Sequence, residues 1–467
     1  MRRTTNTRAK WPEVALLTIG FLLIFFWERL PLFSLGWDGQ DASGHDADIF
    51  FHQPAFPDFI LFGRLRGYEI YMPAYGHPAP LYEMFKLLGK AVALVVPYQS
   101  FSDGQVIALL KVIASLLQLI IWLPLLWLML RNGPKRITRL VGCVVVIGFA
   151  LCPLSVQGSN EFQIDSTIGF VAVGLYTFAL WFAARNKRYS FFGAIAIVAA
   201  SIFIGLGKNE WTLVLVIACG CLLVIGLVLR VIGKSNERQM RNILICVGAT
   251  ILGLEIGNLL SFLYEPIHYA SGWNLLTQMI GSSSVASNAG RSRFIEINLE
   301  RLPFTQVLIF VILFLTLQVV LKRPPVSIWL TLGSVYGLGL FAAFFISTWG
   351  PFPRYFAPGF AVLSIIMVWF YVEQIEQPLS PAALLICALA SCWFAIDGVQ
   401  FAQSDELANR SIYGIRKNIE PRIDCALLLP VEDAYRRKDL DFAHAGYGYD
   451  GAEQIMQRYG GHVCRPD

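Results

Sequence analysis

Three stretches decide the fold: LLTIGFLLIFFW (residues 16–27), VIASLLQLIIWLPLLWLML (112–130) and LVLVIACGCLLVIGLVL (213–229). A helix rising about 1.5 Å per residue needs roughly 20 apolar residues to cross the hydrocarbon core of a bilayer. The second and third runs approach that length, and the first reaches it only with the residues that flank it, over about 12–30. Only 15% of the 467 residues are charged and 56% are hydrophobic, with a mean hydropathy of +0.57. Soluble domains carry about 25% charged residues, so the composition points to lipid.

Working outward, apolar blocks recur at about 12–30, 104–130, 137–153, 166–184, 189–206, 211–231, 242–264, 304–321, 326–346, 355–372 and 379–396. This predicts an all-α polytopic membrane protein with roughly 11 spans. The segment LYEMFKLLGKAVALVVP (81–97) carries Glu83, Lys86 and Lys90 and suits an amphipathic helix at the interface. The opening MRRTTNTRAK and its apolar stretch are followed by Glu28, Arg29, Leu30 and Pro31 rather than by a small-residue cleavage site. The first helix is therefore expected to be retained.

The net charge of +5 and the pI near 8.7 do not imply nucleic acid. The basic residues gather in alternate short loops: Arg2, Arg3, Arg8 and Lys10; Arg131, Lys135, Arg136 and Arg139; Arg185, Lys187 and Arg188; Arg230, Lys234, Arg238 and Arg241; Lys322 and Arg323. That asymmetry sets orientation, with the N-terminus in and the C-terminus out. The expected organisation is a transmembrane domain over 1–396, with outer loops at 31–103 and 265–303, and a small extracytoplasmic domain over 397–467. Seven cysteines fall in apolar segments, where Cys behaves as a small hydrophobe. Cys425 and Cys464 lie in the polar tail, as a disulfide in an oxidising compartment or as two free thiols.

The candidate chemistry lies in the outer segments. GWDGQDASGHDADIFFHQPAF (36–56) packs Asp38, Asp41, Asp46 and Asp48 beside His45 and His52. A solvated acidic loop explains any one of these residues. Asp48, near a helix start at the membrane surface, is also placed to be a general base toward a hydroxyl. Asp46 and Asp48, spaced as D-x-D, suit a divalent cation (Mg2+ or Mn2+) bridging to phosphate oxygens. In LFGRLRGYEIYMPAYGHPAPLYEMF (61–85), three prolines stiffen the turn around His77. Tyr75 and Tyr82 fit an aromatic belt or a sugar-lined site.

PLSVQGSNEFQID (153–165) sets Glu161 and Asp165 before a span, Asp165 as a helix N-cap or as part of the same outer cavity. GLGKNEW (205–211) and TWGPFPRYFAP (348–358) put Lys208 and Arg354 at outer helix ends, against the charge bias. Snorkelling or pairing with Glu210 would explain Lys208, and an anionic headgroup would explain both. Glu255, within GATILGLEIGNLL (248–260), predicts a cavity or buried partner that Asn258 would share. Lys111 opens a span, and Arg291 and Arg293 sit in a Gly/Ser/Asn-rich loop suited to covering a site.

Together these motifs resemble the GT-C superfamily of polyprenyl-phosphate-sugar-dependent glycosyltransferases. HDADIFF (45–51) is similar to the D-x-D region after the first helix, followed in the same order by FGRLRGYEIY and GHPAPLYEMF. QID before a span, GLGK at an outer helix end and RYFAP opening a late span add to the likeness, which covers residues 1 to about 372. The HPAP turn departs from the commoner H-P-P or Y-P-P form, and the tail resembles nothing we can name.

The resemblance implies an inverting glycosyltransferase of a bacterial inner membrane, with its active site facing the periplasm or cell exterior. Its donor would be a polyprenyl-phosphate sugar and its acceptor a glycan, lipid or protein. Asp48, or Asp46, would be the base, and Lys208 and Arg354 would hold the donor phosphate. Asp165, Glu161, His77, Tyr75 and Tyr82 would line the acceptor or sugar site. An O-antigen ligase or polymerase, which would use Arg291, Arg293, Arg301 and His268, and a lipid or solute transporter are the rival expectations. A transporter needs a polar path, whereas only Glu255, Asn258 and Lys111 interrupt the apolar runs.

Overall fold

The structure is a computed structural model that describes residues 11–34, 103–132, 136–160, 164–185, 190–233, 237–264, 273, 328–346, 356–374 and 381–419. Among the described residues the chain is helical and contains no strand. The elements are α1 (Trp11–Ser34), α2 (Asp103–Asn132), α3 (Arg136–Ala150), α4 (Pro153–Asn160), a π-helical turn (Ile164–Gly169), α5 (Phe170–Arg185), α6 (Ser190–Gly205), α7 (Asn209–Val231), α8 (Glu237–Tyr264), α9 (Ile328–Ile346), α10 (Ala357–Gln374) and α11 (Pro381–Ile419). Trp11–Phe33, Lys111–Arg131, Thr167–Ala184, Asn209–Val231 and Gln239–Leu263 are long and apolar enough to cross a membrane. Shorter apolar helices cover Arg139–Ala150, Phe191–Gly205, Trp329–Ala342 and Ala357–Trp369.

Lipid-like solvation leaves no hydrophobic drive between helices, so close backbone approach must supply the packing. The seam between α6 and α8 does this with glycine. A Cβ on Gly257 would stand 2.5 Å from the Ile202 carbonyl oxygen and 2.8 Å from Gly205 Cα. A Cβ on Gly253 would collide with the Val198 carbonyl and lie 2.6 Å from Ser201 Cβ. Val198 thus pairs with Gly253 and Ile202 with Gly257, so the two helices run in the same direction.

Short links fold α2 on α3, α5 on α6, α6 on α7 and α7 on α8. α10 runs parallel to α5, with Gly169 against Pro358 and Gly174 against Ile365. α9 opposes both: Gly333 meets Ile366, while Gly359 meets Phe341. It follows that α8 and α9 point the same way. α11 runs alongside α3, with Gly148 against Ser391, and alongside α1.

These directions sort the charges. Arg131 and Arg230 close α2 and α7, while Arg139 and Arg241 lie near the starts of α3 and α8, all at one end. Arg131 stacks there on Trp127, 4.6 Å from the ring centroid. The opposite end carries the close of α1, α4, the π turn and the α6–α7 turn with Lys208.

Asp165, expected as a helix N-cap or as part of the outer cavity, falls within the π turn. α11 is one helix from Pro381 to Ile419, so the position 396/397 falls inside it. Glu255 is exposed rather than lining a cavity with Asn258, which is buried. At 100° per residue Glu255 stands about 200° from both Gly253 and Gly257, so the face that docks on α6 turns it outward.

Cys143, Cys152, Cys219 and Cys246 are buried and free, as expected of small apolar side chains, whereas Cys221 and Cys392 are exposed. The interfacial segment 81–97, the span expected at 304–321, the loop arginines Arg291 and Arg293, and Cys425 and Cys464 lie outside the described residues.

Candidate functional site

α6 ends at Gly205, and Leu206, Gly207 and Lys208 reverse the chain in a tight turn into α7. The turn is closed by amide hydrogen bonds from Gly207 to the Ile204 carbonyl (2.9 Å) and from Trp211 to the Lys208 carbonyl (3.1 Å). Lys208 itself is the N-cap of α7, extended at φ −73° and ψ 142°, with no side-chain cap hydrogen bond. It is half-buried. A lysine is a poor N-cap, since the helix end carries partial positive charge from its amides.

The Trp211 indole is the piece that joins this turn to the other expected motifs. The ring is fully buried. A Cβ on Gly207 would stand 2.5 Å from one edge of it. A Cβ on Gly169, the last residue of the π turn, would collide with Cζ2 and lie 2.7 Å from Cη2. The same Gly169 Cβ would be 3.1 Å from Pro358, in the first turn of α10. Only glycine lets the Lys208 turn and the π turn both close on one ring, with α10 against the second of them. From α9, Tyr336 donates to the Trp211 carbonyl at 3.4 Å.

A π-helical turn widens the backbone by one residue per turn and recurs at functional positions. Here it spans Ile164–Gly169, contains Asp165, and is tied to α4 by Thr167, whose hydroxyl donates to the Gly158 carbonyl at 3.5 Å. The structure therefore packs the π turn, which begins at Ile164, against both the α6–α7 turn within GLGKNEW, through Trp211, and the opening of α10, through Pro358. Asp46, Asp48, His77, Tyr75, Tyr82, Glu161 and Arg354 lie outside the described residues, as do Arg301 and His268. Among the described residues no group of three or more His, Cys, Asp or Glu could hold a metal; the Asp46–Asp48 pair is not among them.

At the same end lies a polar cluster the sequence did not announce. Arg29, near the close of α1, is fully buried. Its Nε donates to Ser159 Oγ at 2.7 Å, Nη1 to Glu28 Oε2 at 2.8 Å, and Nη2 to the Ala150 carbonyl at 2.9 Å and to Ser155 Oγ at 3.2 Å. Weaker bonds reach the Phe25 carbonyl at 3.2 Å and Gln118 Oε1 at 3.5 Å, and the guanidinium lies 3.7 Å from the Phe25 ring centroid. Gln118 Nε2 in turn donates to the Ser155 carbonyl at 2.9 Å. The cluster's only mark in the sequence is two adjacent charges, Glu28 and Arg29, at the end of an apolar span. Its partners on α2 and α4 are distant in sequence.

Comparison of the chain with protein-family models, with curated proteins and with solved structures gives no match.

Proposed function

We propose that this chain is an integral-membrane glycosyltransferase that moves a sugar from a polyprenyl-phosphate donor to a hydroxyl of a glycan, lipid or protein. Its roughly 11 spans would run with the N-terminus in the cytoplasm and the site on the opposite face of a bacterial inner membrane. The observation that carries the proposal is the packing of the Lys208 turn and the Asp165 turn on Trp211, with the start of α10 against the Asp165 turn. Two further features support it. Basic residues collect at the end remote from this site, and the parallel course of α8 and α9 is what an intervening span requires.

In the proposed reaction the acceptor oxygen attacks the anomeric carbon of the donor. Asp48, or Asp46, takes the hydroxyl proton as the bond from that carbon to the phosphate oxygen breaks, so the anomeric configuration inverts. The polyprenyl phosphate departs as an anion, and Lys208 and Arg354 meet its charge. Asp165, Glu161, His77, Tyr75 and Tyr82 would hold the sugar or the acceptor. A divalent cation at Asp46 and Asp48, if used, would share the phosphate charge. The Glu28–Arg29 cluster is knotted across the bundle rather than strung along it, which suits a structural tie better than a transport path.

The test uses purified protein in lipid nanodiscs supplied with labelled polyprenyl-phosphate sugars and soluble glycoside acceptors. Asp46→Asn or Asp48→Asn should cost at least about 100-fold in rate, the scale of a lost general base. Full activity in both variants would remove the base assignment. Undiminished donor affinity in Lys208→Ala and Arg354→Ala would remove the phosphate roles.

A further inference from the structure

We infer that Arg29 is a positioning residue of the proposed site, acting through α4 on the turn that carries Asp165. The inference rests on the glycosyl-transfer proposal for its kinetic consequence and on geometry alone for the rest. α4 runs only from Pro153 to Asn160. Isolated helices shorter than about 12 residues are marginal, so its place must come from tertiary contacts. Packing of Val156 with Leu32, Phe33 and Ala402 supplies the apolar part of these contacts, and Arg29 supplies the directed part: one guanidinium bonds Ser155, Ser159 and the Ala150 carbonyl just before α4. Gln118 closes the ring from α2, accepting from Ser155 and Ser159 at 3.1 and 3.2 Å. From α4 the path continues to the Gly158 carbonyl, which accepts from Thr167 of the π turn.

Stability alone gives no reason to keep such a cluster. A buried ion pair is commonly no better than well-packed apolar residues of the same volume, because desolvation offsets the attraction. What a planar guanidinium with several directed donors supplies is a fixed register, here between the close of α1, the α3–α4 junction and α4. Displacing α4 carries Gly158 with it, and with Gly158 one anchor of the Asp165 turn.

The experiment compares full-length wild type with Ser159→Ala and Arg29→Lys in nanodiscs, by amide hydrogen exchange and by donor kinetics. Ser159→Ala removes one hydroxyl and leaves the Glu28–Arg29 pair, so it is the variant expected to fold. Arg29→Lys keeps the charge beside Glu28 but lacks the fork that reaches Ser155, Ser159 and Ala150 together. Exchange over 153–169 should rise about 5- to 10-fold in Ser159→Ala, the scale of one lost hydrogen bond, and further in Arg29→Lys. Exchange in α6 to α8 should stay at the wild-type level. KM for the polyprenyl-phosphate sugar should rise by a similar factor with kcat within about twofold, because the turn holds substrate. Unchanged exchange over 153–169, or an equal rise in α6 to α8, would overturn the inference. A wild-type protein that transfers no sugar would instead overturn the function proposal, leaving the exchange result to decide the role of Arg29 in placing the turn.

Discussion

Replacing Gly257 by Ala puts one methyl group into the seam between α6 and α8. The new carbon would stand 2.5 Å from the Ile202 carbonyl oxygen and 2.8 Å from Gly205 Cα. Both neighbours are backbone atoms, so no side chain can swing aside. Optimal separation of such atoms is about 3.5–4.0 Å, so the helices must part locally by roughly 1 Å. Overpacking of this kind costs about 1–3 kcal/mol. Gly248, on the same helix, has nothing within 4 Å of its Cβ position and provides the control. Ala there should be neutral or stabilising, since it favours helix over Gly by up to about 1 kcal/mol. Thermal unfolding of the purified chain in detergent, followed by loss of the folded-protein peak in size exclusion, reads the difference. Gly257→Ala should melt several degrees below Gly248→Ala. Equal melting temperatures would refute the close seam and, with it, the parallel course of α6 and α8.

Three other outcomes follow from the same geometry. Arg29→Met leaves Glu28 buried without its ion-pair partner and should cost about 3–5 kcal/mol, whereas Glu28→Leu/Arg29→Met should recover most of it. An additive double variant in a thermal-unfolding cycle would show that the two side chains are not coupled. Gly398→Ala would drive a methyl into the Leu151 carbonyl and to 2.5 Å from Glu28 Oε1, so it should detach α11 and raise its exchange selectively. Trp211→Phe leaves a void between Gly169 and Gly207 and should lower stability by about 1–3 kcal/mol; a melting curve identical to wild type would contradict the bridging role of the indole.

How far the sequence reached depends on what each feature costs to encode. Apolar runs such as 112–130 and 213–229 must be long to satisfy a bilayer, and their helices were legible. The π turn was not: an extra residue per turn has no compositional mark, and Asp165 in Ile164–Gly169 fits an N-cap or an outer cavity equally well by sequence. Glu255 was misjudged because its side of the helix depends on the neighbouring face. The spacing Gly253-x-x-x-Gly257 held the answer, since small residues at that interval form a docking face and leave the position between them outside. Arg29 was invisible as a tie because Gln118, Ser155 and Ser159 converge on it only through the fold. Within the candidate site, Lys208 and Asp165 stand out in the sequence by charge, whereas Trp211, which joins their turns, carries no mark that separates it from the other tryptophans.

The central claim is glycosyl transfer from a polyprenyl phosphate at the end of the bundle that carries Lys208. Its most direct measurement is the release of polyprenyl phosphate when the purified chain, in nanodiscs, is given a panel of labelled polyprenyl-phosphate sugars with glycoside acceptors. The prediction is that at least one donor is consumed, with an inverted glycoside formed in equal amount, and that Asp48→Asn or Asp46→Asn suppresses it. Folded wild-type protein that consumes no donor in the panel, or consumes one equally well without either aspartate, would contradict it.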